Sequence, residues 1–203
     1  EARYRNTVET ALFLNRQSPQ FMGGFLEMAN ARLYRFWGDL TDGLRTGSPQ
    51  NEVKHTGVPM FAELYSQPER LEQFMDAMSG ISGGNFQALA EKFDFSRYHT
   101  VCDMGGSTGL LSTLVARQHP HLRCTSVDPP AATVIAERKI AAAGLAERIS
   151  AKSLDFFIEP FPKADVITMG MILHDWNLEK KMHLIRAAYD ALPVWSAFIV
   201  VEN

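Results

Sequence analysis

A glycine-rich turn between two apolar runs is the part of this sequence best suited to bind a ligand. It starts at Asp103 and continues Met-Gly-Gly-Ser-Thr-Gly to Gly109. The pattern is typical of a buried strand, a tight turn and a helix. Gly105 and Gly106 let the backbone bend sharply and approach a ligand without an intervening side chain. Because Asp103 ends the predicted strand, we expect it to face the crevice in which open α/β sheets bind cofactors.

Two more acidic residues follow the next two predicted strands. Asp128 ends the second strand, where a carboxylate suits the two hydroxyls of a ribose. Its alternative role is to cap the helix that opens at Pro129 and Pro130. Asp155 follows the third strand and precedes Phe156, a pair that suits the amino group and the flat face of an adenine. Three carboxylates with no basic residue around the turn favour a cationic cofactor that has no phosphate. S-adenosylmethionine fits, because it carries a sulfonium and an ammonium group but no phosphate.

Two classes of oxidoreductase do not fit this sequence. The glycines at 105, 106 and 109 lack the G-x-G-x-x-G spacing that dinucleotide enzymes use around a pyrophosphate. In addition, no tyrosine is followed four places later by lysine, which excludes hydride chemistry of the short-chain dehydrogenase type.

A histidine stands where the fourth predicted strand meets the same crevice. His174 ends that strand, and Glu202 ends the fifth strand beside it. A carboxylate next to an imidazole can fix its tautomer and stabilise its protonated form.

The order of the elements predicts an α/β fold with a mostly parallel sheet behind a helical region. Residues 1–97 read as helical and residues 98–203 as alternating strands and helices. In the first region the spacing predicts one helix over 24–44 and another from Pro68 that glycines interrupt between 80 and 84. Phe74 and Met78 lie on an apolar face of the latter, which suits core packing or a flat aromatic ligand.

Composition indicates a globular protein without affinity for nucleic acid or membranes. The 203 residues are 46% hydrophobic and carry a net charge of −3. No window reaches the roughly 18 apolar residues of a membrane span, and no signal peptide is evident. Cys102 and Cys124 fall in predicted core strands, so free thiols in the cytoplasm are favoured over a disulfide. The chain starts without methionine and stops after an apolar strand, so we expect a fragment of a longer protein.

Four motifs together resemble one family. They are Asp-Met-Gly-Gly-Ser-Thr-Gly from 103, Val-Asp-Pro from 127, Asp-Phe-Phe-x-x-x-Phe-Pro from 155 and Ile-Leu-His-Asp-Trp from 172. In this order and spacing they look like the small-molecule O-methyltransferases of the caffeate and hydroxyindole (acetylserotonin) type. Segments upstream, Tyr-Arg-Asn-Thr from 4 and Met-Ser-Gly-Ile-Ser from 78, are also similar to that family. The resemblance therefore covers nearly the whole chain.

The resemblance implies a Rossmann-like methyltransferase sheet and a role for each matching position. His174 would be the general base, Glu202 would brace it and Asp175 would lie beside the acceptor. Ser82 would contact the cofactor, and Met78 would grip the aromatic substrate. The residues that the resemblance places at the cofactor are those named above: Asp103, Gly105, Gly106, Asp128, Asp155 and Phe156. The family's N-terminal dimerisation domain, which would make the full-length protein a homodimer, and a second bracing glutamate are absent from the sequence.

The resemblance also implies a reaction. The site would align an oxygen nucleophile with the activated methyl group of the cofactor and accept the hydroxyl proton. A phenol, with a pKa of about 10, suits such a base better than an aliphatic alcohol does. No metal is expected.

Positions that depart from the family keep other functions open. Leu154 replaces the family's glycine, Gly170 replaces a lysine of some plant members, and Pro-Val-Trp-Ser from 193 replaces the usual Pro-Gly-Gly turn. The alternatives to O-methylation are a protein that binds the cofactor without turnover, and an enzyme that methylates nitrogen or carbon.

Overall fold

The computed structural model describes residues 3–202, so the ends of both predicted regions, residues 1, 2 and 203, lie outside the described residues. The chain forms two compact units, one up to Ile81 and one from Ser82. This division falls inside a helix, whereas the sequence places the boundary at 97/98.

The first unit is helical, with changes of winding that the sequence does not reveal. Its segments are α1 (Val8–Phe13), α2 (Gly23–Met28), a π-helical turn (Ala29–Leu33), a 3-10 segment (Tyr34–Asp39), α3 (Leu40–Thr46), α4 (Glu52–Thr56), α5 (Met60–Tyr65) and the start of α6 (Pro68–Lys92). The chain stays helical from Gly23 to Thr46, which confirms the extent of the helix predicted over 24–44, but its winding changes along the way. Apolar spacing reports the buried face and not the local winding. The π-helical turn carries Arg32, whose buried guanidinium pairs with Glu52.

Helix α6 runs unbroken through its glycines, so the predicted interruption between 80 and 84 is wrong. Each glycine costs about 1 kcal/mol relative to alanine inside a helix, an amount that tertiary packing can outweigh. A Cβ atom on Gly80 would lie 3.2 Å from the carbonyl oxygen of Phe21, and one on Gly83 would lie 3.9 Å from Leu110. At Gly80 the missing side chain therefore allows a close contact between backbones.

The second unit is a five-stranded sheet in the order β3-β2-β1-β4-β5, and all of its pairings are parallel. The strands are β1 (Thr100–Met104), β2 (Arg123–Asp128), β3 (Ile149–Ser153), β4 (Val166–Gly170) and β5 (Ala197–Val201). The helices between them are α7 (Leu110–Gln118), α8 (Pro130–Ala142) and α9 (Leu178–Ala191). This confirms the predicted α/β fold with a parallel sheet.

Alternating side chains of the strands pack into two apolar cores, one on each face of the sheet. Val101 of β1 belongs to the core that includes Leu111 and Ile140 from α7 and α8. Cys102, the next residue, belongs to the core that includes Leu184 of α9. Cys102 and Cys124 are both buried free thiols, and burial raises the pKa of each to about 12.

Candidate functional site

The glycine turn between β1 and α7 is bound to the end of β2 through its backbone. The amides of Gly105 and Gly106 both donate to the carbonyl oxygen of Val127, at 2.8 and 3.0 Å. Gly105 has φ +73°, and a Cβ atom there would overlap the side chain of Ile172. Gly109 also has a positive φ, +75°, and a Cβ atom on it would lie 2.9 Å from Ile140. Glycine is thus required at both positions by conformation and by space.

Asp103 lies beneath this turn and does not face an open crevice. Its side chain is buried, and Oδ1 accepts a hydrogen bond from the Oγ1 hydroxyl of Thr168 at 2.7 Å. Burial raises the pKa of Asp103 to about 7; the hydrogen bond from Thr168 lowers it, and the charge of Asp128 raises it further. Any effect of this carboxyl group on a ligand therefore has to pass through the turn.

Asp128 is connected to the same turn from the neighbouring strand. Its Oδ2 oxygen accepts the amide hydrogen of Ser107 at 2.8 Å. Pro129 is the N-cap of helix α8, which places Asp128 one residue before the cap, and its alternative role at the helix start stays a prediction. The amide of Leu154 donates to the carbonyl oxygen of Asp128 at 3.2 Å, which brings the loop after β3 close to it.

That loop carries Asp155 and Phe156 and joins an aromatic cluster. Asp155 is exposed and accepts the amide hydrogen of Phe157 at 2.9 Å. The ring of Phe157 meets the edges of Phe156 at 4.9 Å and of Trp176 at 4.7 Å between centroids. The ammonium of Lys180 lies 4.3 Å from the Trp176 ring. The cluster connects the predicted adenine loop with the loop that carries His174, a contact that sequence analysis did not predict.

His174 lies in a 3-10 turn, Leu173–Asp175, directly after β4, and its partner comes from the end of β5. Its Nδ1 atom contacts Oε2 of Glu202, while Oε1 of Glu202 accepts the amide hydrogen of Leu173 at 2.9 Å. The turn follows Met171, which has φ +59°, and this departure ends β4 before the predicted Leu173. The histidine side chain is 47% exposed, so the ring is not buried within the sheet.

Asp175 lies on the Nε2 side of the same imidazole. Its Oδ1 oxygen is 3.5 Å from Nε2 of His174. Burial raises the pKa of Asp175; the charge of His174 lowers it, and that of Glu202 raises it. The carboxylates of Glu202 and Asp175 therefore flank the two ring nitrogens of His174. Their residues follow the ends of two neighbouring strands, β5 and β4.

The remaining predicted site residues lie on α6. Ser82 is buried in the second unit, whereas Phe74 and Met78 are half-buried in the first unit. The ring of Phe74 meets Phe61 edge-on at 6.4 Å between centroids. The roles predicted for these three residues remain predictions.

Two residues to which the sequence assigned no role in the site contact predicted site residues. Thr168 bonds Asp103, and the only local signal is a hydroxyl inside the apolar run of β4. Ile172 fills the space above Gly105 and so connects the glycine turn with the turn that carries His174. No feature of the sequence around Ile172 predicts this contact.

The described residues, 3–202, contain neither a cluster of metal-binding side chains nor a membrane-spanning helix. No three histidine, cysteine or acidic side chains among them are grouped so that they could hold a metal ion. In the same part of the chain, no helix combines the length and apolar character needed to cross a membrane.

Comparisons with known proteins agree with this architecture. The chain is 33% identical over 203 residues to 3-hydroxy-5-methyl-1-naphthoate 3-O-methyltransferase of Streptomyces sahachiroi, covering 100% of the chain and 58% of that protein. It is 32% identical over 200 residues to the N,N-dimethyltransferase OxyT of Streptomyces rimosus, covering 98% of the chain and 58% of OxyT. The crystal structure of human N-acetylserotonin methyltransferase in complex with S-adenosylmethionine superposes with a TM-score of 0.87 at 29% identity, covering 98% of this chain and 59% of that one.

The chain therefore spans less than three fifths of the length of these relatives. The likeness to the structure of the human enzyme confirms the Rossmann-like fold that the resemblance implied. The family model of the O-methyltransferase domain matches residues 37–203, which shows that this chain belongs to that family of O-methyltransferases.

Proposed function

We propose that the protein transfers a methyl group from S-adenosylmethionine to the phenolic hydroxyl of a small aromatic molecule. In this proposal His174 is the general base and no metal takes part. The observation that carries the proposal is the pairing of His174 with Glu202 beside the glycine turn. Because Glu202 occupies Nδ1, the proton acceptor of the site is Nε2 of His174, which Asp175 flanks at 3.5 Å.

The residues around the turn fit the cofactor. Gly105 and Gly106 form a cradle that any side chain would fill, and Asp128 is held at its rim by Ser107. In this proposal the turn takes the methionine part, Asp128 the ribose, and Asp155 with Phe156 the adenine, while Ser82 gives a further contact. When bound, S-adenosylmethionine supplies a methyl group that its sulfonium has already activated.

The protein's own part in the reaction is to orient the acceptor and remove its proton. A positioned base contributes about 10²–10⁴-fold to such a step. Glu202 fixes the ring of His174 and compensates the positive charge that the imidazole gains, while Asp175 lies on the acceptor side. Met78 and Phe74 would hold the flat face of the acceptor. The hydroxylated aromatic named for the naphthoate relative supports an acceptor of this kind.

A second candidate is transfer to nitrogen. The specific observation in its favour is the 32% identity with OxyT, which is named as an N,N-dimethyltransferase. Replacement of His174 distinguishes the two, because an amine that is already deprotonated reaches the methyl group without a base.

The experiment that tests the proposal offers matched phenols and aromatic amines and identifies the product by mass spectrometry. We expect a methyl ether from the wild type, and for His174→Ala a kcat lower by about 10²–10⁴-fold with the dissociation constant of S-adenosylhomocysteine unchanged. A methylated amine alone would support the second candidate. Cofactor binding without any product would indicate a protein that binds the cofactor without turnover.

Compartment and assembly belong to the same proposal. The two buried free thiols fit a reducing compartment and hence a cytoplasmic enzyme. A homodimer rests on the family resemblance alone, and sedimentation of the full-length protein tests it.

A further inference from the structure

Three polar side chains lie side by side beneath the glycine turn, one on each of three neighbouring strands. The pairing of the strands places Asp103 of β1 opposite Ser126 of β2 and opposite Thr168 of β4. Each is at most 2% exposed. We call these three residues the buried polar row.

The buried polar row interrupts an otherwise apolar face of the sheet. Two residues earlier on the same three strands, Val101, Cys124 and Val166 belong to one apolar core. Polar groups in such a place are costly unless they are hydrogen-bonded. In the row, Thr168 donates to Asp103 at 2.7 Å, while the hydroxyl of Ser126 has no partner within the described part of the chain.

The glycine turn rests directly on this row. A Cβ atom on Gly106 would overlap Oγ of Ser126 and would lie 3.1 Å from Oδ2 of Asp103. One oxygen of Asp103 therefore faces Thr168, and the other lies directly below the backbone of the turn. A charge at this depth acts on a cation above the turn through a medium of low polarity, where the interaction is much stronger than in water.

We propose that Thr168 is a positioning residue that keeps the Asp103 carboxylate ionised beneath the glycine turn, where its charge favours a cationic cofactor without touching it. The inference rests on the proposed function, since it concerns the cofactor of the same site. Thr168 acts through Asp103, and Asp103 acts through the turn. Without the hydroxyl of Thr168, burial and the charge of Asp128 would leave the carboxyl group neutral at higher pH.

The other titratable groups that act on Asp103 are few in the described chain. Asp128 at the end of β2 repels its charge. The thiols of Cys102 on β1 and Cys124 on β2 interact with it, but they stay neutral because burial raises the pKa of both to about 12. The pH dependence near neutrality therefore depends on Asp103 itself and on its bond to Thr168.

The test follows the titration of the Asp103 carboxyl group by ¹³C NMR between pH 6 and 8.5. Over the same pH range, calorimetry measures the dissociation constants of S-adenosylmethionine and S-adenosylhomocysteine. In the wild type we expect a titration midpoint at about 7. Thr168→Val should raise it by about one pH unit, the effect of one lost hydrogen bond, and Thr168→Ser should restore it. At pH 7 the valine variant should bind the cofactor about fivefold more weakly than the wild type, and the difference should vanish as the pH rises.

Controls separate charge from packing. At each pH, the dissociation constant of the variant is divided by that of the wild type, so that the titration of the ligand itself cancels. Thr125→Val removes a hydroxyl from the opposite face of β2, where it lies 3.3 Å from Ser150, and should change neither midpoint nor affinity. Asp103→Asn should bind weakly at every pH. If the valine variant does not fold, Thr168→Ala takes its place.

Each result decides the question. If the wild type binds the cofactor and Thr168→Val changes neither the titration midpoint of Asp103 nor the affinity, the proposed function stands but the role given to Thr168 is overturned. A loss of affinity that is equal at every pH would also overturn it, since it would show a structural role only. A folded wild type that binds neither ligand would instead overturn the proposed function.

Discussion

The imidazole of His174 and the carboxylate of Glu202 meet across the edge of the sheet, although 28 residues separate them in the chain. Both follow the carboxyl ends of paired strands, because Gly170 lies opposite Val201 in the register of β4 and β5. The second oxygen of Glu202 binds the amide of Leu173, so one side chain fixes both the ring and the turn that carries it.

Glu202 is expected to contribute to turnover and not to cofactor affinity. Replacing it by alanine removes both contacts, so we expect kcat to fall by about tenfold or more, but by less than for His174→Ala. Glu202→Gln keeps one acceptor oxygen and should retain more activity. Steady-state kinetics and titration with S-adenosylhomocysteine measure the two effects. Glu147→Ala, an exposed carboxylate elsewhere, should change neither, and full activity of Glu202→Ala would contradict the role given to this residue.

Gly105→Ala should damage the cofactor site through two separate causes. The residue has φ +73°, which costs a residue with a Cβ atom about 1–2 kcal/mol, and that atom would also overlap Ile172. Gly144 provides the control, because it has φ +72° with open space around it. We expect Gly144→Ala to lower the free energy of unfolding by about 1 kcal/mol with unchanged affinity for S-adenosylhomocysteine.

Gly105→Ala should cost more stability and weaken binding as well. Chemical denaturation and calorimetric titration of both variants make the comparison. Equal affinity in the two alanine variants would show that the contact between Gly105 and Ile172 does not shape the site.

The local pattern of the sequence predicts the elements that frame the site. Strand β1 and helix α7 have the predicted bounds, Thr100–Met104 and Leu110–Gln118. The strand is predictable because glycines end its apolar run, and the helix because its apolar period is uninterrupted. The winding of residues 24–44 and the continuity of α6 depend on tertiary contacts. The spacing of apolar residues does not reveal that Arg32 has a buried partner in Glu52, or that the backbone of Phe21 lies close to Gly80.

The side chains of the site also differ in how far local pattern predicts them. The glycine turn, Asp128 and His174 are recognisable because each directly follows a strand. The bond between Thr168 and Asp103 joins residues 65 positions apart, so it depends on the register of two strands. Local patterns carry no information on register, and the burial of Asp103 therefore emerges only from the structure.

Asp128 should affect both the cofactor and the turn. Its carboxylate accepts the amide hydrogen of Ser107, a residue with φ +51°. We expect Asp128→Ala to weaken binding of S-adenosylhomocysteine by tenfold or more, on the order of 1.4 kcal/mol. Asp128→Asn keeps an acceptor for Ser107 and should lose less. Calorimetric titration measures both, and a dissociation constant that Asp128→Ala leaves unchanged would refute the ribose assignment.

Two ion pairs in the first unit allow a test of how burial changes the contribution of an ion pair to stability. Arg32 and Glu52 lie 2.5 Å apart with side chains 9% and 6% exposed, and Arg16 and Glu27 lie equally close with 76% and 44% exposed. Removing one partner of a buried pair leaves an uncompensated charge and costs about 3–5 kcal/mol, whereas exposed pairs contribute under about 1 kcal/mol. Glu52→Ala should therefore lower the free energy of unfolding far more than Glu27→Ala, as measured by urea denaturation.

The same pair should make the protein sensitive to acid. Burial opposes ionisation of Glu52, but hydrogen bonds from Arg32 and the backbone, with the charges of Arg32 and Arg70, outweigh it and hold its pKa below the ordinary 4.5. A pKa lowered by folding contributes stability that is complete above the unfolded value and is lost as the pH falls through the folded one. Below pH 4.5 the free energy of unfolding should therefore fall more steeply in the wild type than in Glu52→Gln. Parallel curves would show that Glu52 is not the group responsible.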